Sequence, residues 1–280
     1  MKYYAYNLHT SEYCGSKDAE NYLMLPQVDH RIRWTEVSLP DEKPAEDECY
    51  LFSLVHKKWY IDKAQRCDAE FGDIPAPTCA KINPNPILTK GKNGLFLIDD
   101  ILLNPEEVRA EALSSQFYQR SSFSGTKTKN YDITEMVKKV AELINIPLIP
   151  TKKSHCAYKI NGANDRDCRN GIHGDPQSGR FGYAGILYLN LPHECKGGTS
   201  LYRHKETGVT SRLQTDHDPK LSLKHWIDGR FPDRWEEIDR VEMKYNRLGL
   251  YPCNNYHDVT EFFDGRLVMT LFMSNSLEKR

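Results

Sequence analysis

Asp264-Gly265-Arg266-Leu267-Val268-Met269-Thr270-Leu271-Phe272-Met273 reads as a tight turn that delivers an extended strand. Asp-Gly is a hairpin signal, and side chains along a strand point to opposite faces in turn. Arg266, Val268, Thr270 and Phe272 therefore share one face, and Leu267, Met269 and Leu271 the other. The second set is wholly apolar and suits packing against helices. The first set carries a cation at its head. Burying an arginine is costly unless a carboxylate meets it, so this face is expected to line an interior that receives a dicarboxylate.

Working outward, further strands are expected over His155–Ile160, Tyr183–Leu189, Thr199–His204 and Val241–Tyr251, with Leu95-Phe96-Leu97-Ile98 as a short apolar strand before them. Two helices precede the run. One starts after Asn104, a suitable N-cap, with Pro105 at the first helical position and Glu106-Glu107 complementing the helix dipole. The other starts near Thr134, because Ile133, Met136, Val137, Val140, Leu143 and Ile144 recur at helical spacing. Helices followed by antiparallel strands predict an α+β, mainly β, fold: a sandwich or barrel backed by helices. A polar insertion, about Lys205 to Arg240, carries Trp226 and Trp235 and is long for a plain connection, which marks it as a lid or binding surface. Arg180, Arg203 and His204 are placed near the expected mouth, where they suit either solvent or an acidic substrate.

Residues 1–90 read differently and form an N-terminal region of no assigned role, with 91–280 as the main domain. The proline-rich run Ile74 to Pro86 favours extended backbone and reads as the connector.

Composition narrows the class. The 280 residues are 39% hydrophobic and 28% charged with a formal net charge of −1, so no basic field argues for nucleic acid or an anionic membrane. No apolar run reaches bilayer length, and Met1 to Ser11 lack the apolar stretch of a secretory signal. A cytoplasmic location is expected. The eight cysteines include no C-x-x-C pair, which disfavours a zinc finger and fits thiols in a reducing compartment.

The chemistry is carried by His173-Gly174-Asp175, His257 and, nine residues later, Arg266. Two imidazoles and one carboxylate suit a non-haem iron(II) centre with coordination positions left open. In extended backbone His173 and Asp175 face the same way, and Arg266 offers a planar fork to a carboxylate. Two histidines and a carboxylate also suit zinc, and Cys253 lies four residues before His257. A zinc reading leaves Arg266 unexplained and lacks a helical H-E-x-x-H.

In three blocks the chain resembles the iron(II)- and 2-oxoglutarate-dependent oxygenases, particularly the prolyl-hydroxylase-like branch. They are Ile172-His173-Gly174-Asp175 with Gly185-Ile186-Leu187-Tyr188-Leu189-Asn190, then Gly197-Gly198-Thr199-Ser200-Leu201, then Asn246-Arg247-Leu248 through His257 to Arg266. The resemblance spans about Leu95 to Met273 and implies a double-stranded β-helix (jelly-roll) core. It implies iron(II) on His173, Asp175 and His257, and 2-oxoglutarate bound by Arg266 with Tyr188 and Thr270. The implied reaction consumes oxygen and 2-oxoglutarate and hydroxylates an unactivated C–H bond of an amino acid, a peptide or protein side chain, or a natural-product intermediate. Related halogenases lack the carboxylate, so Asp175 favours hydroxylation or another oxidation. The insertion and the first ninety residues depart from the pattern. The same residues would also serve a metal enzyme that does not use 2-oxoglutarate, or a catalytically inactive jelly-roll binding module.

Overall fold

The computed structural model describes residues 77–119, 125–151, 156–162, 171–175 and 182–275, together with five strands within the first 63 residues. The chain divides into two compact units, one built mainly on Met1–Asp68 and one on most of Ala69–Arg280. In the first, β1 (Lys2–Asn7) pairs with β2 (Tyr13–Asp18) and β3 (Ile32–Thr35), and β4 (Glu48–Ser53) pairs with β5 (Lys58–Lys63). The register of that last pair sets Phe52 opposite Trp59 and Leu51 opposite Tyr60.

The second unit contains β6 (Ile87–Lys90), β7 (Phe96–Asp99), α1 (Pro105–Ser114), β8 (Tyr118–Gln119), β9 (Thr126–Lys127), α2 (Thr134–Ile144), β10 (Leu148–Pro150), β11 (Ala157–Asn161) and β12 (Tyr183–Tyr188). It continues with β13 (Gly198–His204), α3 (Pro219–Asp228), β14 (Trp235–Glu242), β15 (Leu248–Pro252), β16 (His257–Val259) and β17 (Arg266–Asn275). Nine strands form one antiparallel sheet in the order β6-β7-β15-β12-β17-β11-β9-β8, with β10 also on β17. A second antiparallel sheet has the order β14-β13-β16. The fold is mainly β, with few helices, as expected.

Alternation along β17 sorts its side chains as the sequence predicts. Leu267, Met269, Leu271 and Met273 join α1 and α2 (Val108, Ala112, Met136, Val137, Val140, Ile144) in one buried cluster. Val268 and Phe272 join Ile186, Tyr188 and Tyr251 of the large sheet and Leu201 and Val241 of the small one in another. The large sheet therefore carries helices on one face and the small sheet on the other. Each fully buried leucine or valine here contributes roughly 1.5–3 kcal/mol.

Three expectations need correction. The predicted strand Val241–Tyr251 is two strands, β14 and β15, in different sheets. The chain turns between them at Asn246, whose backbone is left-handed (φ 62°); asparagine tolerates that region better than most residues. The insertion is shorter than expected, since Trp235–Arg240 already belongs to β14 and pairs with β13. Asn104 does not cap α1 through its side chain. Its amide instead accepts from the Lys81 N–H at 2.8 Å and donates to the Cys79 carbonyl at 3.1 Å. That ties residues 79–81 to the start of the helix, so this part of the proline-rich run belongs to the second unit. Among the described residues, no helix is long and apolar enough to cross a membrane. Cys79, Cys156, Cys195 and Cys253 are thiols.

Candidate metal centre

The segment 171–175 is held by backbone bonds to one edge of the small sheet. His173 and His257 form an isolated antiparallel bridge, exchanging N–H···O bonds of 3.1 and 2.8 Å. Two residues on, the Asp175 N–H donates to the Cys253 carbonyl at 2.7 Å. Between them the chain passes close to its neighbour: a Cβ on Gly174 would lie 2.6 Å from the Asn254 carbonyl oxygen. Glycine is required there by that approach, and His173 and Asp175 are left on the opposite face together.

Their ligating atoms converge. His173 Nε2 lies 3.7 Å from Asp175 Oδ1, and His257 Nε2 lies 3.3 Å from Asp175 Oδ2. The rings are 4.7 Å apart by centroids, and the three ligand atoms lie within 4.8 Å of one another. Each Nδ1 meets a carbonyl two residues back, Gly171 at 2.7 Å for His173 and Asn255 at 2.8 Å for His257. Carbonyls only accept, so each Nδ1 carries a proton and Nε2 is the nitrogen left to face the cluster, free to offer a cation its lone pair once the proton that His257 shares with Asp175 is given up. That is the tautomer a metal needs. The three residues therefore fit a divalent cation. Among the described residues they are the only group with this arrangement. Cys253 is not part of it; its sulfur receives the Asn254 amide at 3.3 Å.

Burial opposes charge on Asp175, but the hydrogen bond from His257 and the nearby His173 outweigh it and hold the carboxyl down at about 2. Burial and the neighbouring His257 push His173 down. Burial also disfavours charge on His257, yet the bond to Asp175 leaves it raised overall. Asp175 and His257 are nearly enclosed, whereas His173 keeps about a third of its side chain accessible (35%).

Arg266 opens β17 and is 1% exposed. One of its nitrogens, Nη1, donates to Asn161 Oδ1 at 3.3 Å, while Nε and Nη2 are buried with no hydrogen-bond partner. An unmet buried donor costs about 1–3 kcal/mol, more when charged, so this pair of donors fits a carboxylate. Two asparagines that nothing in the sequence pattern marks hold the arginine in place. Asn161 sits directly opposite it in register. Asn190 accepts from Leu267 N–H at 2.7 Å and donates to the Gly265 carbonyl at 3.0 Å, clamping the peptides on both sides. Both are buried, Asn161 fully and Asn190 at 3% exposure, and no fixed spacing ties either to the arginine.

The two remaining predicted residues lie on the same sheet. Tyr188 is fully buried, with the Arg266 Cζ 5.8 Å from its ring centre. Its hydroxyl faces Thr199 Oγ1 at 3.1 Å and the Val241 carbonyl at 3.2 Å. The Thr270 hydroxyl donates to the Ala157 carbonyl at 3.3 Å. Tyr251, not singled out from sequence, lays its ring 4.7 Å from that of His257, and burial raises its hydroxyl well above the usual phenol range.

The residues expected at the mouth serve other ends. Arg203 pairs with exposed Glu236 at 3.4 Å. His204 is fully buried and bonds Asp228 at 3.0 Å. Arg180 lies outside the described residues. Trp235 is buried at 3% exposure, and Trp226 lies under the Arg230 guanidinium at 3.8 Å.

A family model described as a family of unknown function (DUF6445) matches residues 80–260. No curated protein matches the sequence. Among solved structures, a prolyl hydroxylase from Trichoplax adhaerens, in complex with a hypoxia inducible factor oxygen degradation domain peptide fragment, is similar over 67% of this chain and 86% of its own. The identity is 16% and the TM-score 0.32.

Proposed function

We propose that this chain, which belongs to the DUF6445 family, is an iron(II)- and 2-oxoglutarate-dependent oxygenase on a double-stranded β-helix core. Its substrate class is an amino acid, a peptide or protein side chain, or a natural-product intermediate. The observation that carries the reading is the pairing of a convergent His-Asp-His cluster with a buried arginine whose Nε and Nη2 lack a partner. A metal site alone is shared by hydrolases and oxygenases. A second, enclosed cation with unmet donors asks for a small dianion as well.

In this reading His173, Asp175 and His257 hold iron(II), which supplies one-electron chemistry with oxygen when bound. Arg266 grips the far carboxylate of 2-oxoglutarate through the two donors that are otherwise orphaned. Tyr188 and Thr270 add hydrogen bonds to that carboxylate once their protons turn from Thr199, Val241 and Ala157. Asn161 and Asn190 keep the guanidinium aimed. The buried Tyr251 ring shields His257 from water. His173, the most accessible ligand, marks the side from which substrate approaches.

The test is anaerobic calorimetric titration of the metal-loaded protein with 2-oxoglutarate, followed by assay of succinate release in air. Binding that requires both the metal and Arg266 is the expected result. A protein that takes up metal but shows no affinity for 2-oxoglutarate would move the assignment to a 2-oxoglutarate-independent metal enzyme.

A further inference from the structure

By its length alone the insertion between β13 and β14 suits a lid or a binding surface. Its contacts point elsewhere. Ile172 and Tyr256, the residues immediately before the two histidine ligands, bury their side chains together with Trp235 in one small cluster. Trp235 and Tyr256 stack with ring centres 4.8 Å apart. The Ile172 N–H donates to the Gly229 carbonyl, at the end of α3, at 2.8 Å. Glycine at both 171 and 229 makes that approach possible, because a Cβ on either would overlap the other strand's backbone.

This cluster is fixed in turn by a closed polar chain. Tyr256 Oη meets His225 Nδ1 at 3.0 Å, and His225 Nε2 meets Thr207 Oγ1 at 2.9 Å. His204 joins Thr207 and Asp228 at 3.0 Å each, and the Trp235 indole donates to the Asp228 carbonyl at 2.9 Å. A buried network in which each member finds a partner defines one arrangement far better than apolar packing does. Because neighbours in extended backbone face opposite ways, gripping Ile172 and Tyr256 from behind sets the direction of His173 and His257 in front.

We propose that the insertion, together with Trp235 at the head of β14, is the back wall of the metal centre, with Trp235, His225 and the Tyr256 they grip acting as positioning residues for the two imidazoles. The proposal rests on the metal-centre reading above but not on 2-oxoglutarate or on any substrate.

The test is titration of the full-length chain with cobalt(II), read as affinity and as the visible ligand-field spectrum, which reports ligand geometry. Tyr256→Phe keeps the ring and loses the bond to His225. It is expected to weaken cobalt(II) binding by about tenfold and to shift the spectrum, as loss of an outer support for a metal ligand does. His225→Ala should behave likewise, whereas His225→Asn, whose amide can stand in for Nδ1, should recover much of the affinity. Arg203→Ala, which breaks only the exposed pair with Glu236, should match the wild type. Wild-type affinity and an unchanged spectrum in both Tyr256→Phe and His225→Ala would overturn the proposal. A wild-type chain that takes up no cobalt(II) would instead remove the metal-centre reading itself, and this inference with it.

Discussion

Arg266 holds a charge inside the protein with two of its donors unmet, and that makes it a liability in the ligand-free chain. Burial alone pulls its affinity for a proton down. Replacing a poorly paired buried ion by an apolar side chain of similar size is often stabilising. Arg266→Met is therefore expected to raise the unfolding midpoint of the ligand-free protein in urea by an amount worth about 1–3 kcal/mol, while abolishing the thermal stabilisation by 2-oxoglutarate that the proposed function predicts for the wild type. A destabilised Arg266→Met variant would show that the guanidinium is already satisfied. Asp175→Ala is expected to abolish stoichiometric binding of iron(II) or manganese(II), seen by calorimetry, with the fold retained, since it removes a proposed ligand and no apolar core side chain. At this scale the sequence was informative where chemistry restricts residue choice. Only a few side chains bind a divalent cation, and an arginine inside a hydrophobic alternation is conspicuous. It was silent on Asn161 and Asn190, because an amide that straightens a neighbouring strand has no fixed spacing from the residue it serves.

Among the elements, β17 was legible and β14–β15 was not. The strand β17 runs unbroken for ten residues and is largely apolar on both faces, but the run from Val241 to Tyr251 hides a turn marked by Asn246. Side chains alone did not show that the ladder changes sheets there. Asn190→Ala removes the clamp on the head of β17 and leaves the Leu267 N–H without its acceptor. It is expected to cost about 1–3 kcal/mol by urea unfolding and to weaken 2-oxoglutarate binding as well. The insertion gives a pH prediction. Burial, then the charges of His204 and Lys224, push His225 down to about 4. The unfolded chain therefore binds an extra proton between about pH 6.5 and 4. Stability from this group is complete above about pH 6.5, declines as pH drops from about 6.5 to about 4 and levels off below that, a loss on the order of 3 kcal/mol in all. His204, Thr207, Tyr256 and Trp235 surround this ring, with the charges of Lys224, Asp228 and Glu206 close by. His225→Asn should flatten the acid limb of a melting-temperature profile; an unchanged limb would place the proton elsewhere.

Over the whole molecule, the helix-backed sheet, the facing small sheet and the site all fall within the unit that begins at Ala69. A chain beginning there is expected to unfold cooperatively and to take up cobalt(II) like the full protein. Loss of both would make the first unit part of the site's support. The boundary near residue 90 read from composition was drawn by the prolines, yet β6 (Ile87–Lys90) already hydrogen-bonds to β7. Composition marks where backbone is extended, not which core it joins. The two-sided duty of β17 has a further result for how such a gene can drift. Adding or deleting one codon between Arg266 and Met273 would flip every side chain on one side of the change, so that either the guanidinium turns toward α1 and α2 or the leucines beyond it turn to the opposite face. Length change along this stretch is tolerable only in steps of two, and single-codon variation should collect in the exposed bend at 261–265.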